Sequence, residues 1–214
     1  MKYTPTDVAG VMIVDIEPYR DDRGFFSRSF CCDEFGANGL ISSVAQTNIS
    51  YNYARGTLRG LHRQSPPYSE AKLVRCTRGA IVDVAVDVRP ESRTYRKYVM
   101  VQLSADNRRA LFLPPYVAHG FQTLADNTEI LYHVSGTYPS AGEQGFRWDD
   151  PEFGIVWPLA VTVISEKDAS WPLLVPVSGV DAATWAAGRR AARGAPQLVN
   201  RRSTRSDGKR LGRS

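Results

Sequence analysis

Ala80-Ile81-Val82-Asp83-Val84-Ala85-Val86-Asp87-Val88 is the stretch whose reading decides the fold. Val82, Val84, Val86 and Val88 share one face of an extended chain; Ile81, Asp83, Ala85 and Asp87 share the other. Period two with β-branched residues is a sheet pattern. Two carboxylates on one face are costly if buried without partners. That face is therefore expected to look into a polar cavity or toward solvent.

Working outward, the same reading finds further strands. Residues 8–18 form a first strand ending at Pro18, and Asp21-Asp22-Arg23-Gly24 is a turn. Phe25 to Cys32 is strand-like, and Cys31 and Cys32 read as strand residues pointing to opposite faces. Ile41 to Asn52 alternates as a half-buried strand should. Leu58–His62, Lys72–Thr77, Tyr95–Leu103, Ala110–Leu113 and Glu129–Val134 follow, separated by Gly and Pro turns. Many short strands in this rhythm indicate an antiparallel sandwich or barrel. The good helix candidate is Asp181 to Ala192, rich in Ala and Arg. Trp148–Trp157 and Ser165–Asp168 read as a return segment or flap.

Composition narrows the function classes. The chain has 214 residues, enough for one domain with a sizeable core. No apolar run approaches the ~20 residues of a membrane helix, and the first residues lack a signal-peptide core. Three cysteines without framework spacing fit free thiols in a reducing cytoplasm. The net charge of +5 is a property of the tail: nine basic residues and one acid lie beyond Gly188. The rest of the chain is slightly acidic. The tail has no groove-reading motif, so a solvated tail is favoured over nucleic-acid binding.

The chemistry is concentrated in Gly56–Val74, where Arg59, His62 and Lys72 lie close together. A histidine in a β-barrel strand first suggests a metal. Yet the chain has three histidines, and His62-Arg63-Gln64 carries Gln where a His-x-His ligand pair needs a second His. Metal binding is disfavoured. The other use of His62 is as a general base. Cations accompanied by phenols suit a phosphate-bearing ligand. With no Gly-rich phosphate loop, side chains would hold it.

These residues, in order, carry a resemblance. Arg23-Gly24-Phe25-Phe26, Gln46-Thr47-Asn48, Gly56–Gln64, Lys72-Leu73-Val74, Val82–Arg89, Pro115–Phe121, Tyr132, Tyr138-Pro139, Glu143, Trp148–Pro151, Ile155–Pro158 and Ser165-Glu166-Lys167-Asp168 closely resemble the dTDP-4-dehydrorhamnose 3,5-epimerases. The resemblance covers about residues 10–172. It implies an all-β fold, the antiparallel double-stranded β-helix of a cupin-like jelly roll, with a short C-terminal helical segment. The expected division is an epimerase domain over 1–178 and a basic helical or disordered tail over 179–214.

The resemblance also implies roles. His62 is the base, Asp168 orients it, Tyr132 is the acid on the opposite face, and Lys72 stabilises the enolate. Arg23, Phe26, Gln46, Asn48, Arg59, His119, Tyr138, Glu143 and Lys167 hold the sugar nucleotide, with His119 paired to Asp83 and Tyr138 stacked on the base. The implied ligand is a dTDP-linked 4-keto-6-deoxyhexose, epimerised at C3, C5 or both, with no cofactor and no metal. A cytoplasmic homodimer with exchanged N-terminal strands is expected. A metal-dependent cupin enzyme and a non-catalytic sugar-nucleotide binder are the alternatives. One departure is Arg28, where the family usually carries Glu; an altered nucleotide affinity is expected from it.

Overall fold

The computed structural model describes residues 1–174, except Ser69 and Tyr138. Tyr138, the helix expected over Asp181–Ala192 and the boundary expected at 178/179 lie outside the described residues.

The strands are β1 (Lys2–Pro5), β2 (Met12–Asp15), β3 (Tyr19–Asp21), β4 (Gly24–Phe26), β5 (Gln46–Asn52), β6 (Leu58–Gln64), β7 (Lys72–Arg78), β8 (Ala80–Asp87), β9 (Tyr98–Ser104), β10 (Ala110–Leu113), β11 (Val117–Thr123), β12 (Thr128–Val134) and β13 (Glu143–Gly145). Two short helices are α1 (Cys32–Ala37) and α2 (Glu166–Ala169). A six-stranded sheet runs β1-β2-β10-β7-β12-β5 and a five-stranded sheet runs β13-β6-β11-β8-β9. Their pairings are antiparallel, and β3–β4 is a separate hairpin. This is the jelly-roll arrangement expected from the resemblance.

Three apolar clusters explain why β8 reads as it does. Ile81 and Ala85 face Val74, Leu111, Phe121 and Ile130 in the core between the sheets. Val84, Val86 and Val88 pack outward, under Phe146, Phe153, Ile155 and Trp157 of the return segment. A third cluster joins the outer side of the six-stranded sheet to Phe35 of α1, through Leu73, Ala110 and Phe112. A strand buried on both faces tolerates little besides apolar residues.

Asp83 and Asp87 are therefore not toward solvent; both are fully buried. Asp83 meets His119. Asp87 accepts hydrogen bonds from Arg89, Ser92 and Thr94. Burial opposes the charge of Asp87, but these donors hold its carboxyl below the ordinary aspartate value of 3.8. A depressed native value contributes stability that is present above the unfolded value and lost as pH falls through the native one. We expect Asp87→Asn to cost about 3 kcal/mol near neutral pH and much less near about pH 2. Urea unfolding of both proteins across that range checks this; an equal cost at both ends would contradict it.

Other expectations shift at their ends. Residues 8–18 do not form one strand: Gly10 takes φ +83 and the strand begins at Met12. The strand expected from Phe25 stops at Phe26, and Cys31 is the N-cap of α1, with Cys32 its first residue. Asp33 and Glu34 favour that helix start, and Phe35 packs edge-on to Tyr3 and Phe112. Six residues are too few for a helical period to show in sequence. The strand expected from Ile41 begins at Gln46, and that from Tyr95 begins at Tyr98. In β5 Gln46, Asn48, Ile49 and Ser50 all line the cavity, and Ile49 is 65% exposed. The expected alternation of buried and exposed residues does not appear: Thr47, Asn48 and Ile49 are all exposed, because this edge strand borders the open cavity.

Candidate active site

Between the sheets, lined mainly by residues of β5, β6, β11 and β12, lies a cavity of about 520 Å³. That is large enough for a small organic ligand. His62 on β6 pairs directly across from His119 on β11, so the two imidazoles share one wall. Close backbone approach makes this possible: a Cβ on Gly60 would lie 2.6 Å from Gly120 Cα. The β6–β11 register shifts between His119 and Phe121, beside that contact.

The C-terminal segment delivers the partner of His62. Leu58 N–H donates to Val163 O at 2.8 Å, tying the segment to β6. Ser165 then caps α2 by accepting from the Asp168 amide at 3.1 Å. Asp168 consequently reaches His62: Nε2 to Oδ1 is 2.6 Å, and the other carboxylate oxygen accepts from Gly60 N–H at 3.2 Å. Burial opposes the charge of Asp168, but the hydrogen bond and charge of His62, with the Gly60 amide, hold its carboxyl below the ordinary range. A carboxylate at Nε2 assigns that nitrogen the proton and leaves Nδ1 with the lone pair.

His119 repeats the device, with Nε2 2.6 Å from Asp83 Oδ1. Tyr132 approaches from β12 on the opposing sheet. It packs edge-on to His119, with ring centroids 6.3 Å apart. Burial, reinforced by the charge of Asp83, raises its phenol well above the usual value.

The remaining predicted residues fall into two groups. Gln46, Asn48, Arg59, Lys72 and Glu143 line the cavity with His62, His119, Tyr132 and Asp168. Arg59 Nε donates to Asn52 Oδ1 at 2.7 Å, and Lys167 joins from the rim by an ion pair to Glu143. Arg23 and Phe26 do not reach the cavity of their own chain. They sit on the β3–β4 hairpin, with Arg23 paired to Asp21 at 2.6 Å and Phe26 79% exposed. Arg28 is likewise outside, paired with Glu34 at 2.8 Å.

Sequence reasoning missed Glu70, Ser50 and Trp171. Glu70 lies two residues before Lys72 on an extended chain, a spacing that signals a shared face. Trp171 packs edge-on to His62 at 6.2 Å, over Gly145, where a Cβ would overlap the indole. Nothing in the local pattern marks Trp171. Among the described residues, no three His, Cys, Asp or Glu side chains gather to hold a metal, and no helix is long and apolar enough to cross a membrane.

Two sheets enclosing imidazole–carboxylate pairs opposite a phenol define a class: a cupin-like jelly roll with a polar, titratable cavity between its sheets. Comparison with known proteins makes the class specific. The family model described as dTDP-4-dehydrorhamnose 3,5-epimerase matches residues 5–175. A dTDP-4-dehydrorhamnose 3,5-epimerase of Sinorhizobium fredii is 44% identical over 181 residues, 83% of this chain and 93% of that protein. The crystal structure of the Bacillus anthracis enzyme of the same name, with TDP and PPi bound, superposes with a TM-score of 0.78. It is 38% identical, over 81% of this chain and 99% of that one. A 3'-monoepimerase from Streptomyces bikiniensis, in complex with dTDP-quinovose, is 32% identical with a TM-score of 0.74, over 79% of this chain and 86% of that one. The chain belongs to the dTDP-4-dehydrorhamnose 3,5-epimerase family and is an isomerase.

Proposed function

We propose that this protein epimerises C3, C5 or both of a dTDP-linked 4-keto-6-deoxyhexose in deoxysugar biosynthesis. The observation that carries this reading is the His62–Asp168 pair, joining β6 to α2, in one cavity with Tyr132 of the facing sheet. The 4-ketone acidifies the neighbouring C–H bonds. His62 Nδ1 takes the proton from one side, while Asp168 stabilises the imidazolium through Nε2. The electron pair moves into the carbonyl and forms an enolate, whose oxygen Lys72 and His119 stabilise. Tyr132 returns a proton from the opposite side and the centre inverts. No electrons are gained or lost, so the balanced reaction requires no redox cofactor.

Arg59, Gln46, Asn48, Glu143 and Lys167 hold the sugar nucleotide, and Tyr138 stacks on the base. Incubation of the dTDP-4-keto sugar in deuterated water tests the reading. Deuterium is expected at C3, C5 or both; its absence from both would refute it. Label at one carbon defines a mono-epimerase, and label at both defines the double epimerase.

We assign residues 1–178 to the epimerase domain and 179–214 to a basic appendage. The family match ends at residue 175, and positive charge gathers beyond Gly188. Free Cys31, Cys32 and Cys76 support a cytoplasmic setting.

We further propose a homodimer in which the β3–β4 hairpin of one protomer supplies Arg23 and Phe26 to its partner's cavity. Tyr19 and Phe26 are 85% and 79% exposed on that hairpin, and β5 is a sheet edge bearing exposed Ile49. Large exposed apolar residues and a strand at a sheet edge each favour association. Phe26→Asp is expected to shift the mass in light scattering from dimer to monomer and weaken dTDP binding about tenfold or more. A parent protein that runs as a monomer would contradict the assignment.

A further inference from the structure

Glu70 stands out in a cavity that, on the reading above, receives a diphosphate. Its side chain is 7% exposed, and its carboxylate lies 2.9 Å from Lys72 Nζ. The contact is built into the strand. Ala71, between the two, donates its N–H to Ser135 Oγ at 2.8 Å and accepts from Ser135 N–H at 2.9 Å. Both backbone groups of Ala71 are thus engaged by the end of β12, and its methyl is buried in the cluster beneath α1. With Ala71 turned to that side, Glu70 and Lys72 face the cavity together. A carboxylate this buried is costly unless paired, and it opposes the binding of an anion. Affinity for a diphosphate does not account for its presence.

We propose that Glu70 is the positioning residue for Lys72. A lysine ammonium is a point charge on a flexible four-carbon stem. Glu70 fixes that charge on the cavity wall and offsets part of it. Lys72 then serves the sugar oxygen where negative charge develops, instead of swinging to the diphosphate. This inference rests on the enolate reading of Lys72. It predicts effects of opposite sign on binding and turnover. Without the carboxylate, the freed ammonium strengthens the ground-state hold on phosphates and is lost from the reacting oxygen.

The test compares Glu70→Ala and Glu70→Gln with the parent, using thymidine diphosphate in calorimetry and the dTDP-4-keto sugar in the deuterium assay. Glu70→Ala is expected to bind thymidine diphosphate about threefold more tightly. Its kcat for wash-in should be about tenfold or more lower, with KM unchanged or reduced. Glu70→Gln, which keeps an acceptor oxygen for Lys72, should bind equally tightly and recover part of kcat. Weaker binding together with slower turnover would mark a merely structural role and overturn the proposal, as would no change in either. If the parent itself shows no wash-in, the epimerase reading fails. The calorimetric arm still decides for Glu70: tighter binding supports its offset of Lys72, and unchanged binding refutes it.

Discussion

His62→Asn is expected to lower deuterium wash-in by about 10³-fold, the largest single effect in the molecule. A positioned general base contributes on the order of 10²–10⁴-fold, and in the proposed mechanism His62 is that base. His119, across the strand pair, is tied to buried Asp83 on the same cavity wall. Asparagine can still donate a side-chain N–H toward Asp168, so the buried carboxylate keeps a partner and the protein should fold. What disappears is the basic lone pair. Proton loss from the sugar in deuterated water, followed by NMR, measures the rate. Thymidine diphosphate binding by the same variant separates lost chemistry from lost structure. A wash-in rate within about tenfold of the parent would remove His62 from the base role.

Tyr132→Phe is expected to do something different: it should uncouple exchange from inversion. The phenol lies on the sheet opposite His62, and burial keeps it protonated. In the proposed mechanism it donates at one face while His62 takes the proton at the other. Without the hydroxyl, the enolate can still form and recover a solvent-derived deuteron from His62 on the original face. Formation of the epimer should fall about 10²-fold or more, while wash-in falls by about tenfold or less. Chromatographic separation of the epimers, alongside the NMR label, reads both rates from one reaction. Equal losses in the two would mean that Tyr132 acts on the enolate as a whole and is not the opposite-face donor.

The tie of Asp168 to the cavity shows how far local pattern could carry the reading. S-E-K-D is a recognisable helix start, with a serine cap. Its relevance to His62 depends on a bond between residues 106 apart. Glu70 lies beside Lys72, but an exposed ion pair and a buried one have the same local sequence. Its burial comes from β12 and Ser135, far along the chain. Asp87 carried the same ambiguity: its buried partners are supplied by the loop that follows β8.

By itself, the sequence determined the sheet class, the approximate strands and many of the polar residue types that line the cavity. Period-two patterning and turn chemistry are local, and a strand's two faces are written in adjacent residues. Tertiary structure alone decided which polar residues meet. It set His62 against His119 through strand register, brought Asp168 back over β6, and stationed Tyr132 on the facing sheet. It also left Arg23 and Phe26 on a hairpin outside their own cavity. Contacts across sheets arise from register and from which apolar face each segment must bury, and those are properties of the packed whole.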